Sequence, residues 1–435
     1  MSTPPRAAVR PMLGVVADDV TGATDVAAAL SRAGLRTLLS LTSDLGDPET
    51  AAETAADAAA GDSAVDAIVV GLKTRSLPAA EAVAQSLAAV DALRRRGARQ
   101  FYVKYCSTFD STAEGNIGPI TEALAVRLGA RTVVTTPAAP LHGRTVYQGH
   151  LFVGDALLDE THMREHPITP MRDSSVPRLL RPQSAGAVGL LPLDAVRAGA
   201  VQVRERIAAA EADGIGQLVA DAVSEDDLST LAEAIDDAVL VAGSAGLIGA
   251  MALRRPRSEA AAVPPPTART AIIAGSCSRR TLEQIDRFRA TEAPSHHIVA
   301  TAGDTATSLA ERALAWWDEL PEGASGLLYS SSPADERAST VAGAAELYEQ
   351  AAGRIAAGLA QRGVQRMLIA GGETSGAVIR ALGTGTAIVG EEAALGAPWI
   401  HDVEHDLHLV LKSGNFGEPG LFVDVALRDA VEAGR

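Results

Sequence analysis

The chain has 435 residues, 47% of them hydrophobic but only 3% aromatic, and a formal charge of −16. That length suits two α/β domains whose cores are built from Ala, Val, Leu and Ile as helices packed on parallel sheets. The acidic balance argues against nucleic-acid or membrane partners, and leaves room for a small anionic substrate held by a few concentrated cations. Residues 1–11 carry Arg6 and Arg10 without a following signal-type apolar run, and Cys106 and Cys277 form neither a disulfide framework nor a zinc pattern. A reducing cytoplasmic location is therefore expected. The sequence leaves a homo-oligomer open.

In chain order, the first strand is expected over Met12–Ala17. It breaks into Asp18-Asp19-Val20-Thr21-Gly22-Ala23-Thr24-Asp25, so two adjacent carboxylates follow a strand where open α/β sheets bind ligands. Burying such a pair requires a compensating group, which marks Asp18 and Asp19 as catalytic candidates. Further strands are expected at Thr37–Leu41, Ala67–Gly71, Phe101–Tyr105, Thr132–Thr135, Val188–Leu193, Gln217–Ala220 and Ala238–Ala242. Helical patterns such as Ala79–Arg96 and Gly118–Leu128 lie between them, and Ala51–Ala60 reads as helical. This alternation predicts βαβ units. Lys73-Thr74-Arg75-Ser76 and Lys104-Tyr105-Cys106-Ser107 follow strands, so Arg75 and Lys104 are candidates to hold a substrate carboxylate. Asp25, Ser107 and His150 complete the candidate substrate-binding set. Pro140–His150, leading to His166–Ser174, reads as a long irregular functional loop. The longest apolar stretch, Ala238–Leu253, is too short to span a bilayer comfortably and reads as strand, turn and helix.

Arg254–Thr270 contains Pro264-Pro265-Pro266, which cannot continue a helix or a central strand, and is taken as a linker. It divides a substrate domain (1–253) from a second domain (271–435), with a cleft between them. Strands resume at Ala271–Ala274, His297–Thr301, Gly326–Ser330, Arg366–Ala370, Thr386–Val389 and Leu407–Leu411. After three of these come glycine- and serine-rich corners: Gly275–Ser278, Gly371–Gly376 and Lys412–Gly417. Such corners let backbone approach a ligand, and helix N-termini favour phosphate, so a phosphate-bearing nucleotide is expected here. No Walker A loop occurs, and no convincing dinucleotide fingerprint supports an oxidoreductase. His401, His405 and His408, with Asp402, Glu404 and Asp406, include metal-ligand types. Their alternation into Leu407–Leu411 reads instead as a polar loop entering a strand.

Taken together, A-D-D-V-T-G-A-T-D at Ala17–Asp25, K-T-R-S at Lys73–Ser76, Y-V-K-Y-C-S-T-F-D-S-T at Tyr102–Thr112, G-S-C-S at Gly275–Ser278, G-G-E-T-S-G at Gly371–Gly376 and L-K-S-G-N-F-G at Leu411–Gly417 resemble the four-carbon acid sugar kinases. The Gly143–Val153 and His166–Ser174 blocks favour the branch acting on 3-oxo-tetronate over threonate or erythronate kinases. The resemblance implies ATP-dependent phosphorylation of the C4 hydroxyl of a small four-carbon sugar acid. It places Ser276, the Gly372–Ser375 stretch (Gly372, Glu373, Thr374, Ser375) and Gly414 on ATP-contacting motifs. Ser278 and Lys412 join that nucleotide set as candidates, with Lys412 near the phosphates. The expected cofactors are ATP and Mg²⁺; neither the metal ligands nor the choice between Asp18 and Asp19 as base follows from the resemblance. A non-catalytic sugar-acid or nucleotide sensor is the alternative from another class.

Overall fold

A computed structural model describes residues 12–41, 65–166, 169–257, 269–333 and 343–428. Residues 1–11, the expected Ala51–Ala60 helix and the triple proline of the linker lie outside the described residues. The first half supplies β1 (Leu13–Ala17), β2 (Thr37–Ser40), β3 (Ala67–Gly71), β4 (Gln100–Lys104), β5 (Val133–Thr136), β6 (Arg144–Tyr147), β7 (His150–Val153), β8 (Ala156–Leu157), β9 (Ala187–Leu191), β10 (Ile215–Ala220) and β11 (Leu240–Gly243). The second supplies β12 (Thr270–Ala274), β13 (Ser295–His297), β14 (Gly326–Tyr329), β15 (Arg366–Ala370), β16 (Thr386–Ala394), β17 (Ala397–Asp402) and β18 (Leu407–Lys412).

The architecture is the expected α/β one, and the two halves share one 15-stranded sheet of order β13-β14-β12-β15-β18-β17-β16-β2-β3-β1-β4-β11-β5-β10-β9. From β2 to β9 every pairing is parallel, and so is every pairing from β13 to β18. Between them β17 and β16 run antiparallel, and β16 joins β2 with Ala387 opposite Leu39. The central strands are buried along their whole length, as β1, β3, β12 and β15 show. That requires helices on both faces and explains their Val-, Ile- and Ala-rich sequences.

The helix Val20–Arg32 is shared by the two halves. Asp19 caps it, accepting the Gly22 N–H, and every residue from Thr21 to Leu30 is buried. A helix buried all round has protein on every face. Ala23 lies against Gly71 of β3, and Thr24 Oγ1 donates to Leu411 O of β18 at 3.3 Å. At its far end Arg32 makes two 2.8 Å bonds to Glu392 of β16.

Three expectations are corrected. Pro140–His150 is not an irregular loop: it enters the antiparallel ribbon β6-β7-β8. Gln148 and Gly149 both have positive φ, as a two-residue hairpin turn of mirror-image type needs. The buried Asp221 carboxylate accepts both of their N–H groups at 2.8 Å. His401 and Asp402 are not loop residues but close β17, which pairs with β18 as a hairpin. The strand expected at His297–Thr301 lies earlier, at Ser295–His297.

Candidate active site

The carboxyl ends of β1, β3 and β4 coincide, with Ala17 opposite both Gly71 and Lys104. Asp18 N–H donates to Lys104 O, while Asp18 O accepts the N–H groups of Thr74 and Arg75. The three motif segments are thus tied into one edge. Arg75 Nε and Nη2 donate to the two Asp18 oxygens at 2.8 Å, and Nη2 reaches Asp19 Oδ1 at 2.7 Å. This modifies the expectation for Arg75. Its fork holds the aspartate pair, leaving Nη1, which lies 3.9 Å from Asp110 Oδ2.

The two carboxylates differ in environment. Burial would raise the Asp19 carboxyl, but the Arg75 and Lys104 charges and the Thr21 and Gly22 hydrogen bonds outweigh it. Asp19 is held below the usual carboxylate range. Asp18 is pushed upward by burial, with Arg75 opposing. Asp19 keeps 22% of its side chain exposed against 9% for Asp18.

A cavity of about 270 Å³ lies between this edge and the loop after β18. Of the residues singled out in the sequence, Asp19, Asp25, Arg75, Lys104 and Ser107 line it. Asp18 and His150 do not. Asp18 is covered by Arg75, and His150 sits on β7 with Nδ1 2.9 Å from Ser174 Oγ. Lys104 is only 3% exposed, and its Nζ donates to Tyr105 O at 3.0 Å. Among the described residues no other acceptor takes its remaining protons.

Asp110 and Arg144 also line the cavity and were not chosen from the sequence, although both fall inside motifs quoted from it. The Ser107–Asp110 loop carries Phe109 at φ 64° and Asp110 at φ 35°, a conformation rare for such side chains. Phe109 is anchored edge-on to Tyr105, and Thr108 Oγ1 donates to Asp110 Oδ1 at 2.9 Å. His162 and His166 reach the cavity from the segment after the ribbon. Their distance in sequence from the aspartates hid them. Ser413, Asn415 and Phe416 close the other wall. Phe416 stacks on His142 at 5.1 Å, and His142 Nε2 is 3.7 Å from Asp25 Oδ1, so this wall joins the two halves.

The same loop leads into the second cluster. β12, β15 and β18 are neighbours, so their three glycine corners meet. Ser278 Oγ donates to Gly414 O at 2.6 Å and Thr281 Oγ1 to the same oxygen at 2.9 Å. Gly414 leaves no room for a side chain, because a Cβ there would stand 2.3 Å from Ser276 Oγ. Gly371, at φ 130°, opens the helix Gly372–Leu382, whose first turn carries Thr374 and Ser375. Backbone N–H groups at such a terminus suit phosphate oxygens. Glu373 instead pairs its carboxylate with Lys73 across the halves at 2.7 Å, with both side chains about half exposed. Lys412 is buried, and its Nζ donates to Ser413 O, Gly414 O and Thr281 Oγ1 at 2.8–3.1 Å. Burial lowers its pKa to about 7.

A cavity lined by Arg75, Lys104 and Arg144 with three aspartates in the first half, walled by a loop from the glycine corners of the second, has the layout of a two-part small-molecule enzyme. The sequence matches the "Sugar-binding N-terminal domain" family over residues 13–251 and the "Nucleotide-binding C-terminal domain" family over residues 271–422. It is 45% identical to a 3-oxo-tetronate kinase of Cupriavidus necator, across 96% of this chain and 97% of that one. It is 40% identical to a 3-oxo-tetronate kinase of Haemophilus influenzae, across 94% and 98%. Among solved structures, a Salmonella typhimurium protein described as a putative tRNA synthase superposes with TM-score 0.85 at 37% identity, covering 96% of this chain and 99% of that one. The chain belongs to the four-carbon acid sugar kinase family.

Proposed function

We propose that the protein is an ATP-dependent kinase that phosphorylates the C4 hydroxyl of 3-oxo-tetronate. The observation that carries this reading is the shared loop: Gly414 packs into the glycine- and serine-rich corner of the second half while Ser413, Asn415 and Phe416 wall the cavity at Asp19. In this reading one short segment serves both reactants, and phosphoryl transfer depends chiefly on such alignment and on charge stabilisation. The Cupriavidus necator and Haemophilus influenzae relatives are named 3-oxo-tetronate kinases, which supports this reading.

Asp19 is the residue that orients the C4 hydroxyl and accepts its proton. It faces the cavity, whereas Asp18 is locked behind Arg75. Its lowered pKa makes it a better orienting acceptor than a strong base, which suffices for a loose transition state. Lys104 supplies charge to the acid, and Arg75 opposes protonation of the aspartate pair and fixes its geometry. Asp25 and Ser107 contribute polar groups to the cavity wall. Ser276, Ser278, Gly372, Thr374, Ser375 and Gly414 surround the nucleotide phosphates.

Mg²⁺ needs only one or two carboxylates in addition to nucleotide phosphates, and Asp19 and Asp110 offer hard oxygen donors on the cavity wall. Bound there, the ion would neutralise charge on the transferring phosphate. Two free cysteines suit a reducing cytoplasm.

The cavity wall carries Lys104 and Arg144, which can donate to a C3 carbonyl, and the 3-oxo-tetronate kinases among the relatives support that acid over a C3 hydroxy acid. An ADP-release screen with 3-oxo-tetronate, D-threonate and D-erythronate tests the reading. The 3-oxo acid is expected to give the highest kcat/KM. A win for either hydroxy acid overturns the substrate, and no acid-dependent ADP release overturns the kinase.

A further inference from the structure

We propose a second metal site, apart from the kinase centre, on the β17–β18 hairpin: a divalent transition-metal site of the Zn²⁺ class formed by His401, His408 and Asp406. His401 and His408 stand directly opposite one another in the hairpin register. Asp406 lies in the connecting turn at φ 52°. Candidate ligand atoms of the three residues all fall within 4.8 Å of each other. His401 Nε2 and Asp406 Oδ1 are 3.4 Å apart. Ligands about 2.0–2.1 Å from a tetrahedral Zn²⁺ stand roughly 3.3–3.4 Å from one another.

Two further observations point to a ligand. The Nδ1 atoms of both histidines are buried without a hydrogen-bond partner. Buried ring nitrogens are ordinarily satisfied, and no hydrogen bond within the protein holds these two, so neither ring is fixed in orientation by its Nδ1 and one nitrogen of each can turn to an ion. The carboxylate is also held from outside: Gln365 Nε2 donates to Asp406 Oδ2 at 2.5 Å, leaving Oδ1 toward His401. Such supporting bonds orient ligands at metal sites. The neighbouring His405 is engaged elsewhere, with Nδ1 2.8 Å from the buried Asp402.

The two imidazoles are stacked at 4.3 Å and 10°, so their lone pairs run side by side. Converging on one ion takes rotation about χ2, a soft torsion in histidine. Imidazole with one carboxylate suits Zn²⁺ and similar borderline ions, with water completing the shell. The site lies near the start of β18, while Lys412 ends that strand at the nucleotide corner. Four residues of strand separate the two by about 13 Å.

Chelator-stripped full-length protein titrated with Co²⁺ tests the proposal through visible d–d absorption. One equivalent is expected to produce a tetrahedral-type band that Zn²⁺ abolishes. Asp406→Asn, in an exposed turn whose φ asparagine tolerates, should weaken Co²⁺ about 10-fold or more, and His408→Asn should remove the band. Asp406→Asn decides the matter if His408→Asn does not fold. Absence of a band in the wild type, or unchanged Co²⁺ affinity in Asp406→Asn and His401→Gln, overturns the proposal.

Discussion

Asp18 and Asp19 are adjacent, yet the fold gives them separate tasks. A strand end turns consecutive side chains to different surroundings, and Arg75 takes Asp18 by both oxygens while Asp19 keeps a face on the cavity. Asp19→Asn keeps the shape and removes the basic oxygen. Its kcat should fall roughly 10²–10⁴-fold, and near-normal turnover would remove Asp19 from the chemistry. Lys412 gives a prediction of a different kind. Burial holds its pKa at about 7, and nucleotide phosphates next to it would stabilise the charged form. Nucleotide binding should therefore take up a proton, and ADP affinity should decline as pH rises from 7 to 9. Calorimetry in buffers of different ionisation enthalpy measures the uptake. The same proton uptake in Lys412→Met would assign it to another group.

At the scale of elements, the ribbon β6-β7-β8 depends on a residue far from it in sequence. Asp221 accepts the N–H groups of Gln148, Gly149 and Leu193 at 2.8–3.1 Å. Asp221→Ala leaves these donors without their acceptor. Stability should drop by about 2–4 kcal/mol in chemical denaturation, and a loss under 0.5 kcal/mol would show that the ribbon stands without it. This dependence also explains what the sequence concealed. The strands β1, β3, β12 and β15 were legible because burial on both faces demands short apolar runs. The glycine corners were legible because turns after strands need glycine. The ribbon was not, since its polar residues alternate weakly and a Gln-Gly turn is a faint hairpin signal until Asp221 is brought to it. For the same reason Arg144, His162 and His166 were passed over as cavity residues: only the ribbon and the segment after it carry them to Asp19. His150, chosen from that block, faces Ser174 instead.

Across the whole molecule, the halves are joined far more closely than a proline-rich linker implies. β2 pairs with β16, the helix Val20–Arg32 is buried from Thr21 to Leu30, and Phe416 of the second half stacks on His142 of the first. Separating the halves would expose a sheet edge and an apolar helix face together, which couples their unfolding. A single cooperative transition is the expected outcome. The chain supplies its own reporter for this, because Trp316, Trp317 and Trp399 all lie in the second half. Far-UV circular dichroism reports both halves, so its midpoint should coincide with that of tryptophan fluorescence. A sugar acid bound in the first half should then raise the tryptophan midpoint as well, by linkage to the shared native state. A fluorescence transition that precedes the circular dichroism transition, or ignores the acid, would show that the continuous sheet does not bind the halves into one folding unit.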